Sequence, residues 1–284
     1  MKDFYDIVRE VPKRPGERFA LATLVRTEGS SYRRPGARML VCEDGATVGS
    51  LSGGCLEEEV ALLARSVLET GEPLLASFDT RKRFGCHGKI DIFIERIAEK
   101  FFVDVANDLD ARRSHTAITH FGGNEFVHEI HPPIRILIFG EGPDSVPIRK
   151  FSQSLGWEPL EIVDPNAFPI LPDKWTAAIV KSHNYGRDFA ALTKLLPMNL
   201  RYVGLVGPRK RRDQLLNDLL DVGVTINAGF FAPAGLDLGA ETPEEIALAI
   251  VSEIQRMFGG GCGLSLRERK VAIHAPTECK ILAL

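Results

Sequence analysis

The first 132 residues combine short apolar runs with one long amphipathic stretch. The run over 19–27 is typical of a buried strand, and Asp44-Gly45 between two further apolar runs favours a β-hairpin. An apolar residue recurs every third or fourth position over 56–67, which predicts a helix that ends at Gly71. The same reasoning predicts helices over 3–11 and 99–112, and strands over 37–42, 47–51, 73–78, 89–95, 115–121 and 125–130.

From residue 134 onwards the pattern changes to short apolar runs that alternate with amphipathic stretches. The apolar runs predict strands over 134–139, 159–163, 177–180 and 202–206, and the amphipathic stretches predict helices over 146–155, 187–196 and 208–222. A last helix is expected to begin at Thr242-Pro243-Glu244-Glu245, because an N-cap threonine, a proline at the first helical position and a glutamate three residues after the cap occur together.

Alternation of buried strands with helices is typical of a parallel sheet that is covered on both faces. The change of pattern falls at His131-Pro132-Pro133, since a double proline neither continues a helix nor lies inside a central strand. We therefore predict an α/β protein with a small mixed α+β domain over 1–132, a Rossmann-like doubly wound parallel-sheet domain over 133–265 and a C-terminal tail over 266–284.

Composition narrows the class of protein. The chain has 284 residues, 44% hydrophobic and 26% charged, which is enough apolar material for packed cores and disfavours a disordered chain. Its 35 Lys and Arg are outnumbered by 38 Asp and Glu, so a protein that coats nucleic acid is disfavoured. We expect a cytoplasmic protein with reduced thiols and no membrane segment, because no secretory signal or bilayer-length apolar run occurs and the five cysteines form no Cys-x-x-Cys pair.

Two turns of the second domain carry candidate binding chemistry. Gly140-x-Gly142 joins a predicted strand to a predicted helix, as in a dinucleotide-binding turn, and Asp164 ends the next strand, where an acid commonly bonds a ribose. The alternative is a Rossmann-like turn that binds no dinucleotide. Arg209 and Arg211 belong to a cationic helix start that a bound phosphate or an acidic partner would explain, and His183 is expected at the same sheet edge. The alternatives are a solvated basic turn and a histidine that binds no ligand.

Three loops of small residues carry candidate chemistry in the first domain. The loop after the first strand contains Ser30, Ser31 and Arg33, and a third loop contains Cys86. The second loop, Ser52-Gly53-Gly54-Cys55, is predicted to lead into a helix whose N-terminus would favour a thiolate, while the three glutamates that follow oppose it. The alternative for Cys55 is a small packing residue.

These loops resemble the xanthine dehydrogenase accessory factor family (XdhC/CoxI type). The motifs that carry the resemblance are Gly29-Ser30-Ser31-Tyr32-Arg33-x-Pro35-Gly36-Ala37, Gly49-Ser50-x-Ser52-Gly53-Gly54-Cys55-x-Glu57, Ser182-His183, Gly204-Leu205-x-Gly207-x-Arg209-x-Arg211 and Gly235-Leu236-Asp237 with Thr242-Pro243-Glu244-Glu245. The resemblance implies a chaperone that binds the molybdopterin form of the molybdenum cofactor, supports its sulfuration with a cysteine desulfurase and passes it to a xanthine dehydrogenase-type molybdoenzyme. A homodimer is also implied.

From residue type we select candidate contacts for this cofactor. They are Ser30, Ser31, Arg33, Ser52, Gly53, Gly54, Cys55, Cys86, Gly140, Gly142, Asp164, His183, Arg209 and Arg211. Cys55 is the candidate ligand for molybdenum or carrier of sulfur. One competing hypothesis is an NAD(P)-dependent oxidoreductase that uses Gly140, Gly142 and Asp164, with His183 as acid or base. Another is a regulator that binds only protein partners.

Overall fold

The chain forms two compact units, Met1–Pro132 and Pro133–Leu284. The structure is a computed structural model, and the residues that it describes are 1–83, 88–166, 170–271 and 273–274.

The first unit is built on an antiparallel sheet of five strands in the order β3-β2-β1-β5-β4. Its strands are β1 (Phe19–Gly29), β2 (Arg38–Cys42), β3 (Thr47–Gly49), β4 (Leu74–Asp79) and β5 (Gly88–Ile97). A separate antiparallel hairpin consists of β6 (His115–Phe121) and β7 (Asn124–Ile130). The helices are α1 (Lys2–Glu10), α2 (Glu57–Thr70), the short α3 (Thr80–Arg83) and α4 (Glu99–Asp110).

Both faces of this sheet are buried, because alternate residues of β1 point to opposite faces and both sets are apolar. Ala20, Ala22 and Leu24 pack with the apolar side of α2, whereas Phe19 and Leu21 pack with α1 and α4. Helix α2 ends where the sequence predicts, since Gly71 adopts the left-handed conformation (φ 77°) that closes a helix. The loop that leads into α2 is thus followed by a helix whose apolar face packs on the sheet.

The second unit contains five parallel strands in the order β12-β11-β10-β8-β9. Its strands are β8 (Arg135–Phe139), β9 (Glu158–Ile162), β10 (Thr176–Val180), β11 (Tyr202–Leu205) and β12 (Phe230–Phe231). Its helices are α5 (Ser145–Ser154), α6 (Tyr185–Leu195), α7 (Arg209–Asp221) and α8 (Pro243–Gly259). The parallel sheet with helices on both faces confirms the predicted Rossmann-like fold class.

The strand order places the turns that follow β8 and β10 side by side. Strand β9 pairs with one edge of β8 and β10 with the other, so the chain direction switches between β8 and β10. Ligands of such sheets commonly bind at this switch point. The backbones come close there, since a Cβ on Gly140 would lie 2.5 Å from Cα of Ser182. At the far end of the unit, Thr242 and Glu245 form the capping box that the sequence predicts at the start of α8.

Candidate functional site

The loop over 50–56 in the first unit folds around one carboxylate, that of Glu57. Glu57 is the first residue of α2, and its two side-chain oxygens accept hydrogen bonds over 2.7–3.1 Å from seven donors. The donors are the Ser50 and Ser52 hydroxyls and the backbone amides of Leu51, Ser52, Gly53, Gly54 and Leu56.

These contacts keep Glu57 ionised. Partial burial raises the pKa of its carboxyl group, but the hydrogen bonds led by those from Ser52 outweigh burial and hold the pKa well below its usual range. The amides of Gly53 and Gly54, which the sequence offers to a ligand anion, therefore already have an anionic partner within the chain. That Ser52, Gly53 and Gly54 bind the cofactor stays a prediction.

Cys55 is the exposed thiol at the tip of this loop. The other described cysteines differ from it, since Cys262 is half-buried and Cys42 is fully buried. Burial raises the pKa of the Cys42 thiol to about 11, so this thiol is protonated at neutral pH. Cys86 lies outside the described residues. Among the described cysteines, the loop thiol is thus the one that a ligand can reach most directly.

A small pocket with about 30 Å³ of enclosed space adjoins the loop. Its lining is mostly apolar and consists of Ser31, Tyr32, Leu51, Ser52, Cys55, Leu56, Thr80 and Ile90. Tyr32 lies against the loop, because a Cβ on Gly53 would come within 2.9 Å of the Tyr32 ring. Glycine at position 53 thus has two reasons, its positive φ of 85° and the space that the tyrosine ring takes. The pocket brings together the predicted residues Ser31, Ser52 and Cys55.

The predicted residues Ser30, Ser31 and Arg33 lie in the loop after β1. The Ser31 hydroxyl donates to the backbone carbonyl of Arg33 (2.8 Å), and the Arg33 guanidinium pairs with Asp3 (2.6 Å). Ser30 is exposed, and its carbonyl oxygen lies so close to Gly88 that a side chain there would collide with it. Arg33 therefore already has an acidic partner.

One further cluster of the first unit offers ligand atoms for a metal. Oxygens of Glu17 and Asp44 and the sulfur of Cys42 lie within 4.8 Å of one another. The Arg14 guanidinium already neutralises the two carboxylates of this cluster, because it pairs with Asp44 (2.7 Å) and Glu17 (3.4 Å). With a protonated thiol and a resident cation, the cluster suits an arginine better than a metal ion.

In the second unit, the Gly140–Asp144 turn also holds a carboxylate of the chain. Asp144 is the N-cap residue of α5, yet its side chain does not cap the helix and instead pairs with Nζ of Lys181 (2.8 Å). Lys181 is 1% exposed and follows β10 directly. Burial raises the pKa of Asp144, but hydrogen bonding to Lys181 outweighs it, so the pKa lies below its ordinary value.

His183 lies beside this ion pair at the predicted sheet edge. Its Nε2 is 3.4 Å from an Asp144 oxygen, and its side chain is exposed. Its backbone has a φ of 55°, a conformation that is uncommon for residues with a side chain and occurs often at functional sites. The turn after β10 therefore presents an imidazole next to the Gly140 turn.

A buried carboxylate, that of Asp188, connects the turn after β10 with the start of α7. Asp188 is fully buried and accepts hydrogen bonds from the Ser182 amide (3.1 Å), the Ser182 hydroxyl (2.5 Å) and the Arg211 guanidinium (2.5 Å). Arg211 thus has an acidic partner within the chain, and its contact with the cofactor stays a prediction. Arg209 is exposed at the start of α7.

Asp164 belongs to a local turn at the surface. This residue is exposed, and its side chain accepts a hydrogen bond from the Asn166 amide (2.8 Å). It lines a shallow pocket with Asn184 and Arg187. The Gly140 turn, where a dinucleotide would place its pyrophosphate, already holds the ion pair of Asp144 and Lys181. The hypothesis of an NAD(P)-dependent oxidoreductase gains no support.

Sequence reasoning missed three residues of these sites. It named Glu57 in a family motif and as a charge opposing the thiolate but not as an acceptor for the loop amides, and it assigned no role to Lys181 or Asp144. The available signals were a carboxylate placed directly after a run of Ser and Gly donors, and a lysine that continues the otherwise apolar run of β10.

Fold and sites together define a two-unit α/β protein with an exposed loop thiol in the first unit and a Rossmann-like second unit. Comparison with known families agrees. The model of the XdhC and CoxI family matches residues 13–79, and the XdhC Rossmann domain matches residues 136–254. The chain belongs to the XdhC/CoxI family.

Similar proteins support this assignment. A Bacillus subtilis (strain 168) protein, whose name describes it as a probable xanthine dehydrogenase subunit, is 29% identical, over 84% of this chain and 92% of its own length. The Escherichia coli (strain K12) protein named "Molybdenum cofactor insertion chaperone PaoD" is 23% identical, over 84% of this chain and 83% of its own. A crystal structure described as a xanthine dehydrogenase from Bacillus halodurans has the same fold, with a TM-score of 0.80, 24% identity and coverage of 95% and 98%.

Among the described residues, no helix combines the length and the apolar composition that a membrane span requires.

Proposed function

We propose that this protein is a maturation factor for a molybdoenzyme, which binds the molybdenum cofactor as cargo and delivers it to the apoenzyme. The observation that carries this proposal is the exposed thiol of Cys55 on an ordered loop beside a mostly apolar pocket. Membership of the XdhC/CoxI family and the similarity to a molybdenum cofactor insertion chaperone support it.

The chemistry of the pocket suits such a cargo. A pterin is a flat heteroaromatic ring system, and the Tyr32 ring with Leu51, Leu56 and Ile90 offers aromatic and aliphatic surface against which a flat ring packs. A thiolate is a soft ligand, and Cys55 lines the same pocket. When the cofactor is bound, its molybdenum supplies the metal centre, while this chain supplies the thiol and the apolar surface.

The proposal extends to the steps on either side of binding. We infer that the bound cofactor is sulfurated with the help of a cysteine desulfurase and is then passed to a xanthine dehydrogenase-type enzyme. A thiol that holds the molybdenum centre only at an exposed loop leaves the cargo accessible to both partners. We also expect the protein to act as a homodimer.

The proposal is tested by producing the protein in a host that makes molybdopterin and in a matched host that does not. After purification under anaerobic conditions, oxidation of the bound material to its fluorescent pterin derivative reports cofactor content. We expect near-stoichiometric pterin from the competent host only. A protein that carries no pterin, and that does not slow release of cofactor added afterwards, would contradict the proposed function.

A further inference from the structure

We infer that Glu57 is the positioning residue for Cys55, in that its carboxylate is an internal anion around which the 50–56 loop folds. Glu57 is not among the residues selected above as candidate contacts of the cofactor. Its effect on cofactor binding, unlike its effect on the loop, rests on the proposed function. It is carried by the seven hydrogen bonds that converge on one side chain.

The loop needs such a centre because its own sequence does not favour order. Gly53 and Gly54 have φ values of 85° and 115°, and adjacent glycines lose more backbone freedom on folding than other residues. Leu51 and Leu56 anchor the two ends of the loop in the core, but the segment between them has no such anchor, since Gly53, Gly54 and Cys55 are all exposed. Hydrogen bonds to the carboxylate fix the amides of Gly54 and Leu56 on either side of Cys55, and so hold the thiol's backbone position through its neighbours.

A carboxylate is the group that fits these donors. Five amides and two hydroxyls all donate, so the group at their centre must accept on both of its oxygens and donate nothing. A glutamine side chain has the same shape, but its NH₂ group is itself a donor. It would therefore face the N–H and O–H donors of the loop without accepting from them. The lowered pKa of Glu57 means that the accepting form persists well into acid.

The consequence is that the thiol is presented before any cargo arrives. A loop that must wait for a ligand phosphate to satisfy its amides orders only on binding, and the ordering reduces affinity. Here the amides are already satisfied, so binding energy at Cys55 is not spent on folding the loop.

The first experiment measures amide hydrogen exchange over 50–56 in the wild-type protein, in Glu57→Gln and in Glu58→Gln. The control removes the same charge one position along, at an exposed residue. We expect exchange of the Leu51, Ser52, Gly53 and Gly54 amides to become about tenfold faster in Glu57→Gln, and to stay unchanged in the control. Unchanged exchange in Glu57→Gln would overturn the inference.

A rescue experiment separates a local role from a general loss of stability. Glu57→Ala removes the carboxylate and leaves space for a small one, so sodium acetate is compared with sodium chloride at equal ionic strength. We expect acetate, and not chloride, to slow exchange over 50–56 again. Equal exchange in both salts would contradict an internal carboxylate as the centre of the loop.

Cofactor retention then tests whether this order matters for Cys55. We expect Glu57→Gln to speed release of bound cofactor about as much as Cys55→Ser does, and acetate to restore retention in Glu57→Ala. Normal retention in Glu57→Gln, with loss in Cys55→Ser, would overturn the positioning role. If the wild-type protein retains no cofactor, the proposed function fails, while hydrogen exchange and acetate rescue still decide the role of Glu57 in the loop.

Discussion

The two units each enclose a carboxylate in a glycine-rich turn, but they neutralise it differently. Glu57 in the first unit is surrounded by amides and hydroxyls, whereas Asp144 in the second is paired with the buried ammonium of Lys181. Removal of the Glu57 carboxylate leaves only neutral donors without an acceptor. Removal of the Asp144 carboxylate leaves a buried cation without its counter-charge. The hydrogen bonds to Glu57 therefore order a loop, whereas the ion pair of Asp144 and Lys181 stabilises the edge of the sheet at which β8 and β10 end.

Removing the carboxylate of Asp144 should have the largest effect on stability. We expect Asp144→Ala to lower the free energy of unfolding by about 3 kcal/mol, because Lys181 would keep its charge in a buried position without a partner. Urea unfolding measures this cost. The double variant Asp144→Ala with Lys181→Met is the control and should regain most of the loss. A cost under about 0.5 kcal/mol for Asp144→Ala alone would show that the pair is not what holds this edge.

Asp188 combines both kinds of partner, so its removal should be intermediate. Its carboxylate accepts from the Ser182 amide and hydroxyl as well as from Arg211, and Arg211 is 21% exposed, so water can reach the guanidinium in part. We expect Asp188→Asn to cost about 2 kcal/mol in the free energy of unfolding. A cost larger than that of Asp144→Ala would invert the comparison.

Glu57→Gln should cost less overall, about 1 kcal/mol, because the donors of an exposed loop regain water when the carboxylate is lost. Thermal unfolding beside Glu58→Gln isolates this effect from the loss of one negative charge. If Glu57→Gln destabilised the protein as much as Asp144→Ala, the loop would be part of the core of the unit rather than a separately ordered segment.

The smallest effect concerns pH. The pKa of Glu57 is lowered in the folded protein, so its contribution to stability is complete above the pKa of the unfolded chain and is lost as pH falls through the folded pKa. The stability difference between the wild-type protein and Glu57→Gln should therefore shrink by roughly 0.7 kcal/mol between pH 7 and pH 4. A difference that grows toward pH 4 would mean that Glu57 is protonated in the folded protein.

The same comparison explains what the sequence could predict. The fold class follows from pattern, because apolar periodicity distinguishes the mixed first unit from the strand-helix alternation of the second. The capping box at Thr242 and the helix end at Gly71 are set by residues that are neighbours in the sequence, so they could be predicted, and the structure has both.

The partners of charged groups were harder to predict. Glu57 lies next to its donors in the chain, so its role was within reach of local reasoning, yet a carboxylate at a helix start is ordinarily counted only as a charge. Asp144 and Lys181 are 37 positions apart and meet only because β8 and β10 are neighbours in the sheet. Likewise, Arg211 on α7 pairs with Asp188 on α6, so this candidate anion contact has an acidic partner within the chain that the sequence did not indicate.

Release of bound molybdenum cofactor from Cys55→Ser, with Cys262→Ser as the matched control, tests the central claim most directly. Both changes replace one described thiol by a hydroxyl, but only Cys55 lies on the exposed loop that Glu57 orders. We predict that release under anaerobic conditions becomes at least about tenfold faster in Cys55→Ser and stays at the wild-type rate in Cys262→Ser. Equal release rates in all three proteins would contradict the assignment of this loop as the cofactor site.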